Sequence, residues 1–96
     1  MSTSKPSYTL SPVYPNPRVC AQHLGKLIRE ARRVDGRPLE EIAPLAALTV
    51  PAWLGIEAGD VSYTWEQFLL IARAALRCDR LWIAHASWLY EGARRQ

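Results

Sequence analysis

Apolar residues recur at helical spacing in several segments of the chain, and caps or turn residues separate these segments. The first segment, residues 17–34, alternates an apolar stripe with basic side chains, which predicts an amphipathic helix. Asn16 followed by Pro17 predicts the start of this helix, and Asp35-Gly36 predicts its end. Its apolar stripe comprises Cys20, Leu24, Leu27, Ile28, Ala31 and Val34.

The segment 39–59 predicts two short helices joined by a tight turn. Apolar residues at helical spacing lead into the turn Ala47-Leu48-Thr49, and Thr49 is a suitable N-cap for a helix over about 50–58. Gly59 then provides a C-terminal cap. Pro44 removes a hydrogen bond and clashes with the preceding turn, so we expect the first of the two helices, which starts near Pro38, to be short or kinked.

Two further helices are predicted after residue 60. Thr64 with Gln67 three residues later forms a capping box, so a fourth helix starts there. Its expected core stripe is Phe68, Leu69, Ile71, Ala72, Ala75 and Leu76. A fifth helix is predicted from Asp79 to about Gly92, with a broad apolar face of Leu81, Trp82, Ala84, Trp88 and Leu89.

These elements predict an all-α fold: a compact five-helix domain over residues 17–92. Residues 1–16 contain three prolines among serines and threonines, which favours an extended N-terminal arm. Residues 93–96 form a short tail. Two helices joined by a turn of three or four residues is the plan of a helix-turn-helix, here over about 38–58.

Composition narrows the class of protein only slightly, but the distribution of charge is uneven. The chain of 96 residues has a net charge of +3 and two cysteines, which is too few for a disulfide framework. Residues 38–72 carry five acids and no Lys or Arg, so this segment is −5 and the remainder is +8. The start shows no apolar core of a signal peptide, and the longest uncharged run is too short for a membrane span, so we expect a cytoplasmic protein.

Residues 24–77 resemble the Cro/lambda-repressor-type helix-turn-helix family, also called XRE. The matching pieces, in order, are LGKLIREARRVDGRPLEEIA, ALT, IEAGD and TWEQFLLIARAAL. The resemblance implies a small transcriptional regulator that binds duplex DNA as a homodimer. It also implies which residues would contact phosphates or enter the major groove: Arg29, Arg32, Arg33, Arg37, Thr49, Val50, Pro51 and Ala52.

The third helix lacks the side chains that read bases. Its expected outward positions are Val50, Pro51, Ala52, Leu54, Gly55 and Ala58, and no side chain among them donates or accepts a hydrogen bond. The alternative is therefore a degenerate helix-turn-helix used as a protein-binding module, such as an antiactivator or antitoxin, without DNA binding. Its predicted contact strip is Val50, Pro51, Trp53, Leu54 and Ala58.

A second contact surface is predicted on the fifth helix, whose apolar face is broader than closing the domain requires. Half of this face should close the domain, and the rest should form a dimer contact comprising Leu81, Trp82, Trp88 and Leu89.

No arrangement of residues indicates an enzyme, and no cofactor is expected. The chain lacks a glycine-rich phosphate loop and a paired nucleophile and base. Cys20, His23, Cys78 and His85 would allow a zinc site only if helix one approached the region joining helices four and five. Their spacing matches no standard finger, so packing in the core is the favoured explanation for the cysteines.

Overall fold

A computed structural model describes residues 16–95 as five helices, with no strand among them. The helices are α1 (Pro17–Asp35), α2 (Leu39–Ile42), α3 (Val50–Glu57), α4 (Trp65–Leu69) and α5 (Arg80–Arg94). The predicted all-α class is confirmed. The arm predicted for residues 1–16 lies, apart from Asn16, outside the described residues.

Both ends of α1 form as their local sequence predicts. The Asn16 side chain accepts a hydrogen bond from the Arg18 N–H at 2.7 Å, and Pro17 occupies the first helical position. Gly36 adopts the left-handed conformation with φ 82°, and its N–H donates to the Arg32 carbonyl. Because a residue with a Cβ rarely adopts this conformation, the Gly36 cap stops the helix at a defined residue.

The helix-turn-helix pair is formed by α2 and α3, and Pro44 shortens its first member. The α-helical turn of α2 gives way at Ala43 to a 3₁₀-helix, Ala43–Ala46, as expected for a proline inside a helix. Ala47 then takes a left-handed φ of 58°, and Thr49 caps α3 by accepting a hydrogen bond from the Ala52 N–H at 3.2 Å.

The fourth helix begins with the predicted capping box. Thr64 and Gln67 exchange side-chain and backbone hydrogen bonds of 3.0 and 3.1 Å. Helix α4 then widens into a π-helix, Leu70–Ala75, which closes with a 2.9 Å hydrogen bond from the Leu76 N–H to the Ile71 carbonyl. All predicted core positions of this stretch are buried except Leu69, which is half-buried.

The core lies between α1, the helix-turn-helix pair, the α4 region and the inner face of α5. Cys20, Leu24 and Ile28 of α1 are fully buried, as are Trp53 of α3 and Phe68 of α4. The start of α1 lies beside Ala93, and its last turns lie beside Trp82, so α1 and α5 run antiparallel.

Two predicted apolar faces need correction. Val34, the last residue of the predicted α1 stripe, is 86% exposed and lies at the rim of a groove rather than in the core. On α5 the inward face is rotated from the predicted one, so Leu89 is buried in the core and cannot form the predicted dimer contact. The buried residues of α5 are Ala86, Leu89, Tyr90, Gly92 and Ala93.

Only one of the four tryptophans, Trp53, is fully buried in the core. Trp53 is fully buried, whereas Trp82 is half-buried and Trp65 and Trp88 are exposed. Trp65 stacks on Phe68 with ring centroids 5.1 Å apart, so it covers the core rather than filling it.

Taken singly, none of the helices in residues 16–95 is long and apolar enough to cross a membrane. The stretches Leu39–Ala46 and Val50–Glu57 meet the length and composition criteria only as a pair, and they are bent by 88° at the turn between them.

Candidate functional site

The outer face of α3 is apolar and accessible. Pro51, Ala52, Leu54 and Ala58 are exposed, with Leu54 at 47%, and Val50 and Gly55 are half-buried. Four of the six predicted outward positions are therefore exposed, whereas Val50, which also belongs to the predicted protein-binding strip, packs partly against the core. We define the α3 face as Pro51, Ala52, Leu54 and Ala58.

Trp53 does not belong to this face, so the predicted protein-binding strip is wrong for that residue. Its side chain is fully buried under α3, and its indole Nε1–H donates to Glu57 Oε2 at 2.8 Å. The helical repeat groups Pro51, Leu54 and Ala58 on one side of α3 and points residue 53 away from them, against the core.

A buried carboxylate fixes α3 to α1. Arg32 of α1 binds Glu57 in a bidentate pair, with Nε 2.5 Å from Oε2 and Nη2 2.8 Å from Oε1. Only 6% of the Glu57 side chain is exposed, compared with 24% of the Arg32 side chain.

The pKa of Glu57 results from opposing contributions. Burial disfavours the charged carboxylate, but hydrogen bonds from Arg32 and Trp53, together with the Arg32 charge, outweigh burial and lower the pKa below its usual value. Glu57 is therefore ionised at neutral pH, and the positive charge of Arg32 balances its negative charge. For this reason Glu57 does not repel an approaching phosphate as an exposed acid would.

The α1–α3 contact is unusually close at Gly25. A Cβ built at Gly25 would lie 2.4 Å from the Glu57 carbonyl oxygen and 2.8 Å from that of Ile56. Glycine in the middle of a helix costs about 1 kcal/mol relative to alanine, so its presence at this position is explained by the approach of the α3 backbone.

Arg37, a predicted phosphate contact, is held by other partners. Its Nε and Nη2 donate to the two carboxylate oxygens of Asp35 at 2.7 and 2.8 Å, and Nη2 also donates to the Ala75 carbonyl at 2.5 Å. The Arg37 guanidinium lowers the pKa of Asp35 to about 2. Arg37 thus joins the end of α1 to the α4 region, and phosphate binding would require it to leave these partners.

The other two predicted phosphate contacts lie at the surface of α1. Arg29 is exposed and lines a shallow cleft together with Leu54 and Ala58 of the α3 face. Arg33 is also exposed, and its Nη1 lies 3.8 Å from the Glu30 carboxylate. Two of the four predicted arginines are therefore accessible, and two are engaged in tight ion pairs.

The acidic segment keeps most of its charge at the surface. Glu40, Glu41, Asp60 and Glu66 are exposed, while Glu57 is neutralised by Arg32. Duplex DNA binding depends on neutralising phosphates with Lys and Arg, so these four carboxylates oppose the approach of a phosphate backbone to this part of the molecule.

The cysteines and histidines do not form a metal centre. In residues 16–95, no three His, Cys, Asp or Glu side chains are placed to hold a metal ion. Cys20 is buried in the core, where burial raises the pKa of its thiol, and Cys78 is half-buried, with a pKa raised to about 11 mainly by burial. No disulfide joins the two residues.

One feature that the sequence did not indicate is an apolar groove between the end of α1 and the start of α5. It has a volume of about 490 Å³ and is lined by residues that include Leu27, Ala31, Leu76 and Trp82. Leu27 and Ala31 belong to the predicted apolar stripe of α1 and are half-buried, because periodicity identifies an apolar face but not what covers it.

Comparison of the chain with protein-family models, with curated proteins and with solved structures finds no significant match.

Proposed function

We propose that the protein is a small regulator of the helix-turn-helix class that acts by binding a partner protein through the α3 face. The observation that carries this proposal is the chemistry of that face: four exposed residues without a side-chain hydrogen-bonding group, of which Leu54 has the largest side chain. Contiguous apolar surface of this kind typically marks a protein contact.

The position of the α3 face supports this proposal. Arg32 and Glu57 hold α3 against α1, and Gly25 allows the two backbones to approach closely. A face presented by a well-supported helix loses little conformational freedom on binding, which favours affinity. The surrounding exposed acids of residues 38–72 favour a partner with an apolar centre and basic residues around it.

Substitution of Leu54 tests this proposal. Leu54→Asp replaces the largest apolar side chain of the α3 face with a charge, so we expect partner binding to be lost. The free energy of unfolding should change by about 0.5 kcal/mol or less, because the site is at the surface. A photo-crosslinking residue at Ala58 should capture the partner in the wild-type background and not in Leu54→Asp.

A matched control distinguishes this contact from general stickiness. Leu70 is 38% exposed on a different helix, so Leu70→Asp should retain the partner and the crosslink from position 58. A folded Leu54→Asp protein that keeps the partner with unchanged affinity would exclude the α3 face as the binding surface.

A second candidate function is binding to duplex DNA. It is favoured by the accessible Arg29, which lines a cleft with Leu54 and Ala58, and by the exposed Arg33 about one turn further along α1. In this case the arginines would contact phosphates, and the bases would be met only by apolar groups and the capping Thr49.

The salt dependence of binding to random duplex DNA separates the two functions. If only Arg29 and Arg33 contact phosphates, affinity should fall about tenfold between 50 and 200 mM salt, and about 150-fold if Arg32 and Arg37 also do. For a protein-binding module we expect no binding by fluorescence anisotropy, even at low salt. The control is Arg33→Glu, which should weaken any true phosphate binding and reduce its salt dependence.

A further inference from the structure

A row of basic residues runs along α1 next to the α3 face. Positions 18, 22, 26, 29 and 33 follow one another at intervals of three or four residues, so they share one side of the helix. They carry four cations and one glutamine, all of them exposed: Arg18, Gln22, Lys26, Arg29 and Arg33. We define the basic row as these five residues. It extends for about 22 Å, because each residue of an α-helix adds about 1.5 Å.

The basic row and the α3 face meet along two shallow clefts. In the first cleft Arg29 lies beside Leu54 and Ala58. In the second cleft Arg18 and Gln22 lie beside Ala58. Because Ala58 borders both clefts, the basic row and the α3 face form one continuous surface with a basic side and an apolar side.

The positive charge of the basic row is little reduced by neighbouring acids. Helix α1 contains two acids, Glu30 and Asp35, and Asp35 already belongs to the ion pair described above. The Glu30 carboxylate lies 3.8 Å from Arg33 Nη1, and both side chains are exposed, so water screens this pair. The acid that lines the first cleft, Glu57, is balanced by Arg32. The basic row therefore attracts negative charge.

We infer that the partner of the α3 face is an amphipathic helix of another protein, with carboxylates along one edge that lie over the basic row. This inference rests on the function proposed above. A stable protein contact involves about 20 to 30 residues on each side, so it extends beyond the four residues of the α3 face. On the α1 side the adjoining surface is the basic row, and charge complementarity there requires acidic side chains.

The spacing of the cations favours a helix as the occupant. A helix that lies along α1 with Glu or Asp at every third or fourth position presents carboxylates at the same repeat as the basic row. Apolar residues on the adjacent side of that helix then reach Leu54 and Ala58, as when an amphipathic helix docks in a groove. The exposed acids of residues 38–72 lie on α2, on α4 and after α3, so basic groups elsewhere on the partner suit them.

Selection from a library of displayed helical peptides tests this inference on the full chain. Each peptide of about 18 residues carries leucines on one side, and the positions along one edge encode Glu, Gln or Lys in equal proportion. After selection on wild type, we expect Glu to exceed Lys about two- to fivefold at each edge position, the effect of one exposed ion pair. Arg29→Glu and Lys26→Glu should each reduce this preference, and the two together should reverse it in favour of Lys.

A matched control separates the basic row from the overall charge of the protein. Arg73→Glu makes the same change of charge at an exposed residue of the π-helix Leu70–Ala75, and the preference for Glu should persist. Circular dichroism should show unchanged helix content in all these variants, because the substituted residues are exposed.

The outcomes distinguish failure of this inference from failure of the proposed function. A selected pool that depends on Leu54 but shows no preference for Glu, or keeps it in Arg29→Glu with Lys26→Glu, overturns the inference and leaves the α3 face as a protein contact. Peptides that bind Leu54→Asp as well as wild type, or no selected peptide at all, contradict both. Binding of random duplex DNA that is lost in Lys26→Glu would assign the basic row to phosphates and also overturn the inference.

Discussion

Gly25→Ala should destabilise the protein by about 2 kcal/mol, although alanine is the better helix former. The added Cβ would lie 2.4 Å from the Glu57 carbonyl oxygen, and the atoms in its way are backbone atoms of α3, which cannot move by a change of rotamer. Overpacking of this kind costs up to about 3 kcal/mol, and about 1 kcal/mol is regained from helix propensity.

Thermal and urea denaturation measure this effect. A loss of about 2 kcal/mol lowers Tm by roughly 8 to 16 °C in a domain of this size. Gly55→Ala is the matched control, because the nearest atom to its added Cβ is 4.0 Å away. We expect that substitution to stabilise the protein by up to about 1 kcal/mol. Equal stability of Gly25→Ala and wild type would contradict the close α1–α3 contact.

Arg32→Ala should destabilise the protein by about 2 to 3 kcal/mol at neutral pH. The substitution removes both hydrogen bonds from Arg32 to the buried Glu57 carboxylate. The Trp53 indole still donates to that carboxylate. Removing one partner of a buried ion pair costs about 3 to 5 kcal/mol, and we take a smaller value because Arg32 is partly exposed.

The pH dependence gives this prediction a second readout. In the wild type the pKa of Glu57 is lowered, so the pair contributes fully above the unfolded-state pKa and its contribution is lost as pH falls through the folded-state pKa. Without Arg32, burial should raise the pKa of Glu57 instead. The stability gap between wild type and Arg32→Ala should therefore narrow as pH falls below about 5.

Two further variants control for charge and for side-chain size. Arg33→Ala removes an arginine side chain that is 61% exposed and whose Nη1 lies 3.8 Å from Glu30 Oε2. The free energy of unfolding of this variant should differ from that of wild type by about 0.5 kcal/mol or less. The double variant Arg32→Met with Glu57→Gln should recover much of the loss, because neither buried charge remains. If Arg32→Ala and Arg33→Ala have the same stability, the Arg32–Glu57 pair does not hold α3 to α1.

The features predicted correctly from the sequence are those determined within a few residues. The Asn16 cap, the Thr64 capping box and the disruption at Pro44 each depend on chemistry within one helical turn. Four of the six outward positions of α3 were also predicted, because Thr49 fixes where that helix begins, and the helical repeat then sets the direction of each side chain.

The predictions that failed depend on how helices are arranged in space. Val34 continues the apolar periodicity of α1, but no neighbouring helix covers it. On α5, Trp88 and Leu89 are equally apolar, so the sequence pattern cannot decide which of them faces the core. The close approach at Gly25 and the engagement of Arg32 and Arg37 by carboxylates likewise depend on tertiary contacts that no local pattern contains.

The π-helix Leu70–Ala75 has a consequence for the permitted length of the chain. A π-helical turn holds about one residue more than an α-helical turn, so this segment accommodates one residue more than an α-helix would between α4 and the bend at Leu76. Deleting Ala74, which is exposed, would let the segment continue as an ordinary α-helix. Phe68 before the deletion and Leu76 after it should keep their inward orientation, so we expect the domain to fold with either length at this position.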